Sequence, residues 1–112
     1  MLTREGCPGN VLAIKDALEA LEGRWKLLIM LSLSTGNKRF KQISKDIGGI
    51  TDKMLSKELK ILETNKLVTR TVYDTFPPTV EYAITEHGKS AEQILDVLYL
   101  WGVKHRKEIM GE

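Results

Sequence analysis

Lys53, Ser56, Lys57 and Lys60 stand at positions i, i+3, i+4 and i+7 of one segment. On an α-helix those positions share a face, which would present three ammonium groups and a hydroxyl together. Lysines neutralise phosphates and donate to guanine edges, and a serine hydroxyl accommodates several base edges. The chemistry on offer is adhesion to a polyanion, with no bond made or broken. A solvated face paired at i,i+4 with Glu58 and Glu63 is the plainer alternative. Lys38, Arg39 and Lys41 precede the set and Arg70 follows it, and all four are further phosphate candidates. Thr51 stands just ahead of it as a further DNA-contact candidate, and its hydroxyl would also cap the helix.

Catalytic arrangements are not visible. His87 and His105 are isolated, with no second ligand at metal spacing, and read as surface residues. No serine or cysteine has a partner base nearby, no glycine-rich loop could cradle a phosphate, and no cofactor is indicated. The single cysteine, Cys7, is the one redox candidate. It lies ahead of the first helix, whose N-terminal dipole would favour thiolate, with Arg4 assisting and Glu5 opposing. Lacking a second cysteine in the chain, oxidation could give only an intermolecular disulfide, a mixed disulfide or a sulfenic acid. An inert cysteine kept for packing is the alternative.

Charge is distributed unevenly. Gly23–Arg70 holds eleven basic and four acidic residues, a balance of +7, whereas the flanks hold six basic and eleven acidic, a balance of −5. The whole chain is only +2. A basic middle between acidic ends suits a phosphate-facing surface on an otherwise neutral protein. The chain of 112 residues, 42% hydrophobic and 29% charged, predicts one soluble domain over residues 1–112. Met1–Asn10 lacks an apolar core, no apolar run is long enough to span a bilayer, and one cysteine suits a reducing compartment. The expectation is a cytoplasmic protein without membrane contact.

The elements that must position these groups follow from periodicity. Val11, Ile14, Leu18 and Leu21 predict a helix over Asn10–Glu22 with Asn10 as its cap. The stretch Arg24–Ser34, with Trp25, Leu28, Ile29, Leu31 and Leu33, is apolar all round and predicts a helix running through the core. A short helix over Phe40–Ile47, a Gly48-Gly49 turn and a helix capped by Thr51 and running to Thr64 give a helix-turn-helix. Leu67–Tyr73 and Thr79–Ile84 alternate as strands about a turn at Asp74–Pro78 and form a wing, whose prolines stiffen the turn. Thr85 caps a last helix reaching Met110, with Glu86 in its first turn. The fold class is α+β, mostly α: a winged helix-turn-helix with an N-terminal arm and helix (1–22) and a C-terminal helix (85–112) added for dimerisation.

The last helix supplies the reason for a partner copy. Ala91, Ile94, Leu95, Leu98 and Trp101 make one apolar stripe, and Val97, Leu100 and Val103 another. Two such faces ask for the chain's own core on one side and a second chain on the other. Trp25 and Trp101 are read as core or interface packing. A winged-helix module that binds protein instead of DNA is the competing reading, but such modules tend to lose the basic residues retained here.

The chain also resembles the HxlR-type regulators, bacterial winged-helix repressors and activators. The resemblance rests on Cys7-Pro8, on Gly23-Arg24-Trp25-Lys26 with the apolar run to Leu33, and on Arg39-Phe40 with Ile43. It continues from Ile50-Thr51 through Leu55, Leu59, Leu62 and Glu63 to Leu67-Val68 and Arg70. It ends on Tyr73, Pro77-Pro78, Val80-Glu81-Tyr82, Thr85, Gly88 and Trp101-Gly102. Asn65 stands where many members have glycine, and asparagine tolerates the same left-handed cap. The resemblance implies a dimeric transcription regulator on an inverted repeat of double-stranded DNA, and a repressor is the expectation for this chain. Some members sense oxidants or electrophiles through an N-terminal cysteine, the position of Cys7; others answer to a different inducer.

Overall fold

The computed structural model describes residues 8–111, with side chains from Asn10 onward. Its elements are α1 (Pro8–Leu21), α2 (Lys26–Leu33), α3 (Phe40–Ile47), α4 (Asp52–Thr64), β1 (Val68–Tyr73), β2 (Thr79–Ile84), α5 (Glu86–Lys89) and α6 (Glu92–Met110). The mostly helical α+β winged helix-turn-helix architecture expected from the pattern is present. Cys7, Arg4 and Glu5 lie outside the described residues.

The core sits where α2, α3 and α4 meet the base of the hairpin. Ile29, Met30, Leu33, Ile43, Leu55, Leu59, Leu62 and Val68 are the fully buried side chains. They come from helical repeats of three and four residues on each helix and from the first position of β1. Gly48 and Gly49 both take positive φ (73° and 74°), which lets the chain turn sharply between α3 and α4. Thr51 caps α4 as expected, its Oγ1 accepting from the Met54 amide at 3.1 Å.

The two strands pair antiparallel, from Val68 opposite Ile84 to Tyr73 opposite Thr79. A third backbone lies on the free side of β2. The Lys38 amide donates to the Tyr82 carbonyl (3.0 Å) and the Tyr82 amide to the Lys38 carbonyl (2.8 Å). This bridge stitches the α2–α3 loop to the hairpin and blunts an otherwise open edge.

Five expectations need correction. Helix α1 starts at Pro8, so Asn10 lies inside its first turn and is not the cap. Helix α2 lies in the core by one face only, Ile29, Met30 and Leu33 being buried while Leu28 and Leu31 are left at 41% and 51% exposure. The left-handed residue after α4 is Lys66 (φ 62°), one place beyond Asn65, which has φ −84°. The last helix is two: α5 stops at Lys89 and α6 starts at Glu92. Lastly, of the two apolar stripes only Ala91, at the N-cap of α6, is buried in the core; no residue of Glu92–Met110 is buried, and Ile94, Leu98, Trp101, Val97, Leu100 and Val103 are exposed. Helix α1 likewise leaves Val11, Ile14 and Leu18 exposed.

The break between α5 and α6 goes with the anchoring of α5 on the end of α4. Thr85 Oγ1 accepts from the Gly88 amide (2.9 Å) and donates to the Lys66 carbonyl (2.7 Å), pinning the first turn of α5 to the end of α4. Gly88 lies so close beneath that junction that a Cβ there would be 2.3 Å from the Leu67 carbonyl oxygen. No residue larger than glycine fits without moving backbone.

One buried pair was read in the sequence only as charge. Lys26 Nζ lies 3.2 Å from Glu58 Oε2, both side chains about nine-tenths buried, and also donates to the Glu22 carbonyl just after α1 at 3.2 Å. Removing one member of a buried pair strands the other, which costs about 3–5 kcal/mol, while replacing both with apolar groups is often neutral or better. Lys26→Met should therefore lose about that much in urea unfolding, and Lys26→Met with Glu58→Leu should regain it. Equal stability of the single and double variants would count against the pairing.

Candidate nucleic-acid interface

Helix α4 turns its two faces to different media. Leu55, Glu58, Leu59 and Leu62 are buried, while Lys53, Ser56, Lys57 and Lys60 are exposed. The alternative reading of this face relied partly on Glu58, and Glu58 points inward to Lys26. It cannot neutralise the exposed lysines. Among the described residues, Lys53, Lys57 and Lys60 make no ion pair within 4.0 Å. Three uncompensated ammonium groups on one helix face carry a field that attracts phosphates.

The hairpin stands beside this face. Ser56, Lys60 and Glu63 of α4 form one wall of a groove of about 220 Å³, and Arg70 and Tyr82 of the hairpin form the other. Arg70 and Tyr82 face each other across the strand register. The structure thus brings Arg70 to the lysine face from ten residues further along the chain than Lys60. Glu63 is the acidic member of the groove.

The basic residues ahead of α4 are placed less uniformly. Arg39 is the exposed N-cap of α3, its backbone amide donating to Gln42 Oε1 at 2.8 Å. Lys41 remains 79% exposed and meets Asp52 at 3.0 Å, a surface pair joining α3 to the first turn of α4. Lys38 behaves differently. Its side chain is only 19% exposed and its ammonium is drawn back onto Asp46, which also accepts from Ser32 Oγ at 2.8 Å. The Lys38 bond first, then the Ser32 bond, hold the Asp46 carboxyl below the usual range. Lys38 is occupied inside the fold, because the bridge of its backbone to β2 fixes where its side chain can reach.

Two residues of the hairpin have contacts or exposure that the sequence reading did not assign. Tyr73 donates to Glu81 Oε1 at 3.2 Å across the strands, and that bond raises the phenol above its ordinary value. Phe76, at the loop, is fully exposed. Tyr73 could be placed on a strand and Phe76 in a turn, but neither placement announces the cross-strand bond or the exposed ring. Lys26 and Glu58, by contrast, were detectable. Lys26 leads Ile29, Met30 and Leu33 at i+3, i+4 and i+7, and Glu58 lies in phase between Leu55 and Leu62. Opposite charges inside two core stripes predict a buried pair. No group of three or more potential metal ligands occurs among the described residues, and no described helix is long and apolar enough to cross a membrane.

Comparison with known proteins bears on this arrangement. The HxlR-like helix-turn-helix family profile matches residues 20–110, which takes in every element from the end of α1 to α6. The chain belongs to the HxlR-like family. It is 38% identical over 101 residues to the HTH-type transcriptional regulator YtcD of Bacillus subtilis (strain 168), covering 90% of this chain and 80% of that one. Among solved structures it is similar to the redox regulator HypR in its reduced form, with a TM-score of 0.82 and 32% identity over 89% of this chain and 99% of that one. It is also similar to the reduced form of the transcriptional regulator YodB from B. subtilis, with a TM-score of 0.73 and 37% identity over 85% of this chain and 89% of that one. As an HxlR-like helix-turn-helix protein the chain is a DNA-binding transcription regulator and not an enzyme.

The Asp46 cluster gives this region a pH signature. A carboxyl whose folded value is lowered contributes stability above its unfolded value, about pH 4, and loses it as pH falls through the folded value. Asp46→Asn should therefore melt below wild type at pH 7, and the two melting temperatures should converge as the pH is taken below about 4. A gap that persists at acid pH would show that the charge of Asp46 is not what stabilises the cluster.

Proposed function

We propose that this regulator binds an inverted repeat in duplex DNA as a homodimer and represses transcription by occupying it. The observation that carries the reading is the uncompensated face of Lys53, Ser56, Lys57 and Lys60 on a helix capped by Thr51, with Arg70 beside it across a groove. On this reading α4 lies in the major groove, where its lysines and serine meet base edges and phosphates. Arg39, Lys41 and Arg70 hold the flanking phosphates, and Lys38 supports the loop that carries them. A regulator of this kind works beside the chromosome, in the cytoplasm, and we take residues 1–112 as its working domain.

The partner is a second copy because of what α1 and α6 leave uncovered. Val97, Tyr99, Leu100 and Trp101 are all more than half exposed on α6, and Val11, Ile14 and Leu18 of α1 are exposed as well. Contiguous apolar area on that scale marks an interface. Two-fold pairing would set the two copies of α4 about one helical turn, roughly 34 Å, apart. Cys7, outside the described residues, is the group through which a redox or electrophile response would run, in keeping with the redox description of HypR.

Gel shifts on duplexes selected from random-sequence DNA test the interface. Wild type should bind with an affinity that falls steeply with salt. The Lys53→Ala/Lys57→Ala/Lys60→Ala variant should bind far more weakly, its salt slope reduced by about three. Equal binding by the two proteins would sink the proposal, as would a single-chain mass by light scattering at micromolar concentration. For Cys7, diamide should loosen wild type from the same duplex and leave Cys7→Ser unaffected; an identical response of the two would remove Cys7 from the mechanism.

A further inference from the structure

The tip of the β1–β2 hairpin has a chemistry unlike that of α4. Asp74–Pro78 contains one acidic residue and no basic one, so it cannot dock on a polyanion by ionic attraction. What it offers is a ring. Phe76 is 103% exposed and is the most exposed large apolar side chain among the described residues.

The loop that carries the ring is tied together. Thr75 Oγ1 donates to the Pro77 carbonyl at 2.7 Å and lies 2.7 Å from Thr79 Oγ1. Since the Thr75 proton is already used, Thr79 is the donor in that second bond. The Thr75 amide donates to the Tyr73 carbonyl at 2.8 Å. Phe76 is therefore held out from a closed loop and does not fold back on the strands.

Size decides what such a ring can meet. A phenyl group buries on the order of 150–250 Å², whereas a stable protein interface needs about 800 Å² on each partner. One ring is too small to dock a protein, but it is enough to wedge between stacked base pairs and separate them. Reach agrees with this. Six paired residues extend the hairpin by about 20 Å, and the minor groove next to the one holding α4 lies about half a turn, roughly 17 Å, along the duplex.

We propose that Phe76 enters the minor groove flanking the α4 contact and wedges between base pairs, so that the wing selects deformable steps instead of phosphates. This rests on the DNA-binding reading above. Pyrimidine–purine steps unstack most easily, so they should be enriched in the flanks of the preferred site. Arg70 and Lys60 at the base of the hairpin anchor the backbone, and the tip senses how readily the duplex opens.

The test uses the full chain with duplexes it selects from random-sequence DNA, carrying 2-aminopurine in place of single flanking adenines. Unstacking brightens that base. Wild type and Phe76→Leu should both raise its emission, since leucine can also act as a wedge. Phe76→Ala should leave it dark and bind about tenfold more weakly, with the salt slope unchanged because no phosphate contact is lost. Sites selected by Phe76→Ala should also lose the flanking pyrimidine–purine steps. A silent probe with wild type, or equal affinity of wild type and Phe76→Ala, overturns the proposal. So does a change in particle mass caused by Phe76→Ala, which would assign the ring to a contact between chains. If wild type selects no duplex at all, the DNA-binding reading itself has failed, and that is seen before any Phe76 variant is made.

Discussion

Two opposite charges buried between α2 and α4 constrain this fold more than any apolar contact. An apolar side chain can slide over its neighbours at small cost, but a buried ammonium parted from its carboxylate faces desolvation alone. Lys26 sits at the start of α2 and Glu58 in the middle of the exposed-lysine helix, so their 3.2 Å separation fixes one helix against the other. Lys26 reaches a third element through the Glu22 carbonyl. Gly23, at φ +100°, makes the turn that brings α1 to this point and lies over the pair, with only a Cβ's width between them. The helix proposed to read DNA is thus referenced electrostatically to the junction of α1 and α2.

The rest of the molecule divides into a covered region and an uncovered one. Leu55, Leu59 and Leu62 meet Ile29, Met30, Leu33 and Ile43 in a core that any winged helix of this size can build. Helix α6, nineteen residues long, contributes nothing buried to it. Among the described residues, Trp101 stacks on His105 of its own helix, with ring centroids 4.7 Å apart. The chain has spent its apolar residues on two surfaces, one closed and one open, and the open one follows from length: a helix of that extent outruns the small core beneath it.

How much was legible in the sequence depended on how local the cause was. Helix α3 was read to the residue, because Phe40, Ile43 and Ile47 repeat at helical spacing and glycines close its end. The Thr51 cap and the strand pairing were equally legible, each being set within a few residues. The lysine face could be placed on α4 from spacing alone, but its lack of compensation could not, since that depended on which way Glu58 pointed. Lys38 shows the same limit. As a loop lysine it looked like a phosphate ligand, and only the pairing of its backbone with Tyr82, 44 residues on, turns it towards Asp46. The α5–α6 break was hidden because Ser90 and Ala91 are ordinary helix residues; the interruption goes with the anchoring of Thr85 on Lys66.

The contact beneath Gly88 makes α5 and the end of α4 one solid piece. Backbone touches backbone there, with no side chain between to change rotamer and take up slack. The Ala91 amide, 3.0 Å from the Gly88 carbonyl, carries the same stiffness on into α6, a rod of about 28 Å at 1.5 Å per residue. A tilt imposed at the far end of that rod would bear on Leu67, between α4 and β1. The geometry is that of a crank, with its handle in the exposed apolar surface and its shaft ending where α4 meets the wing.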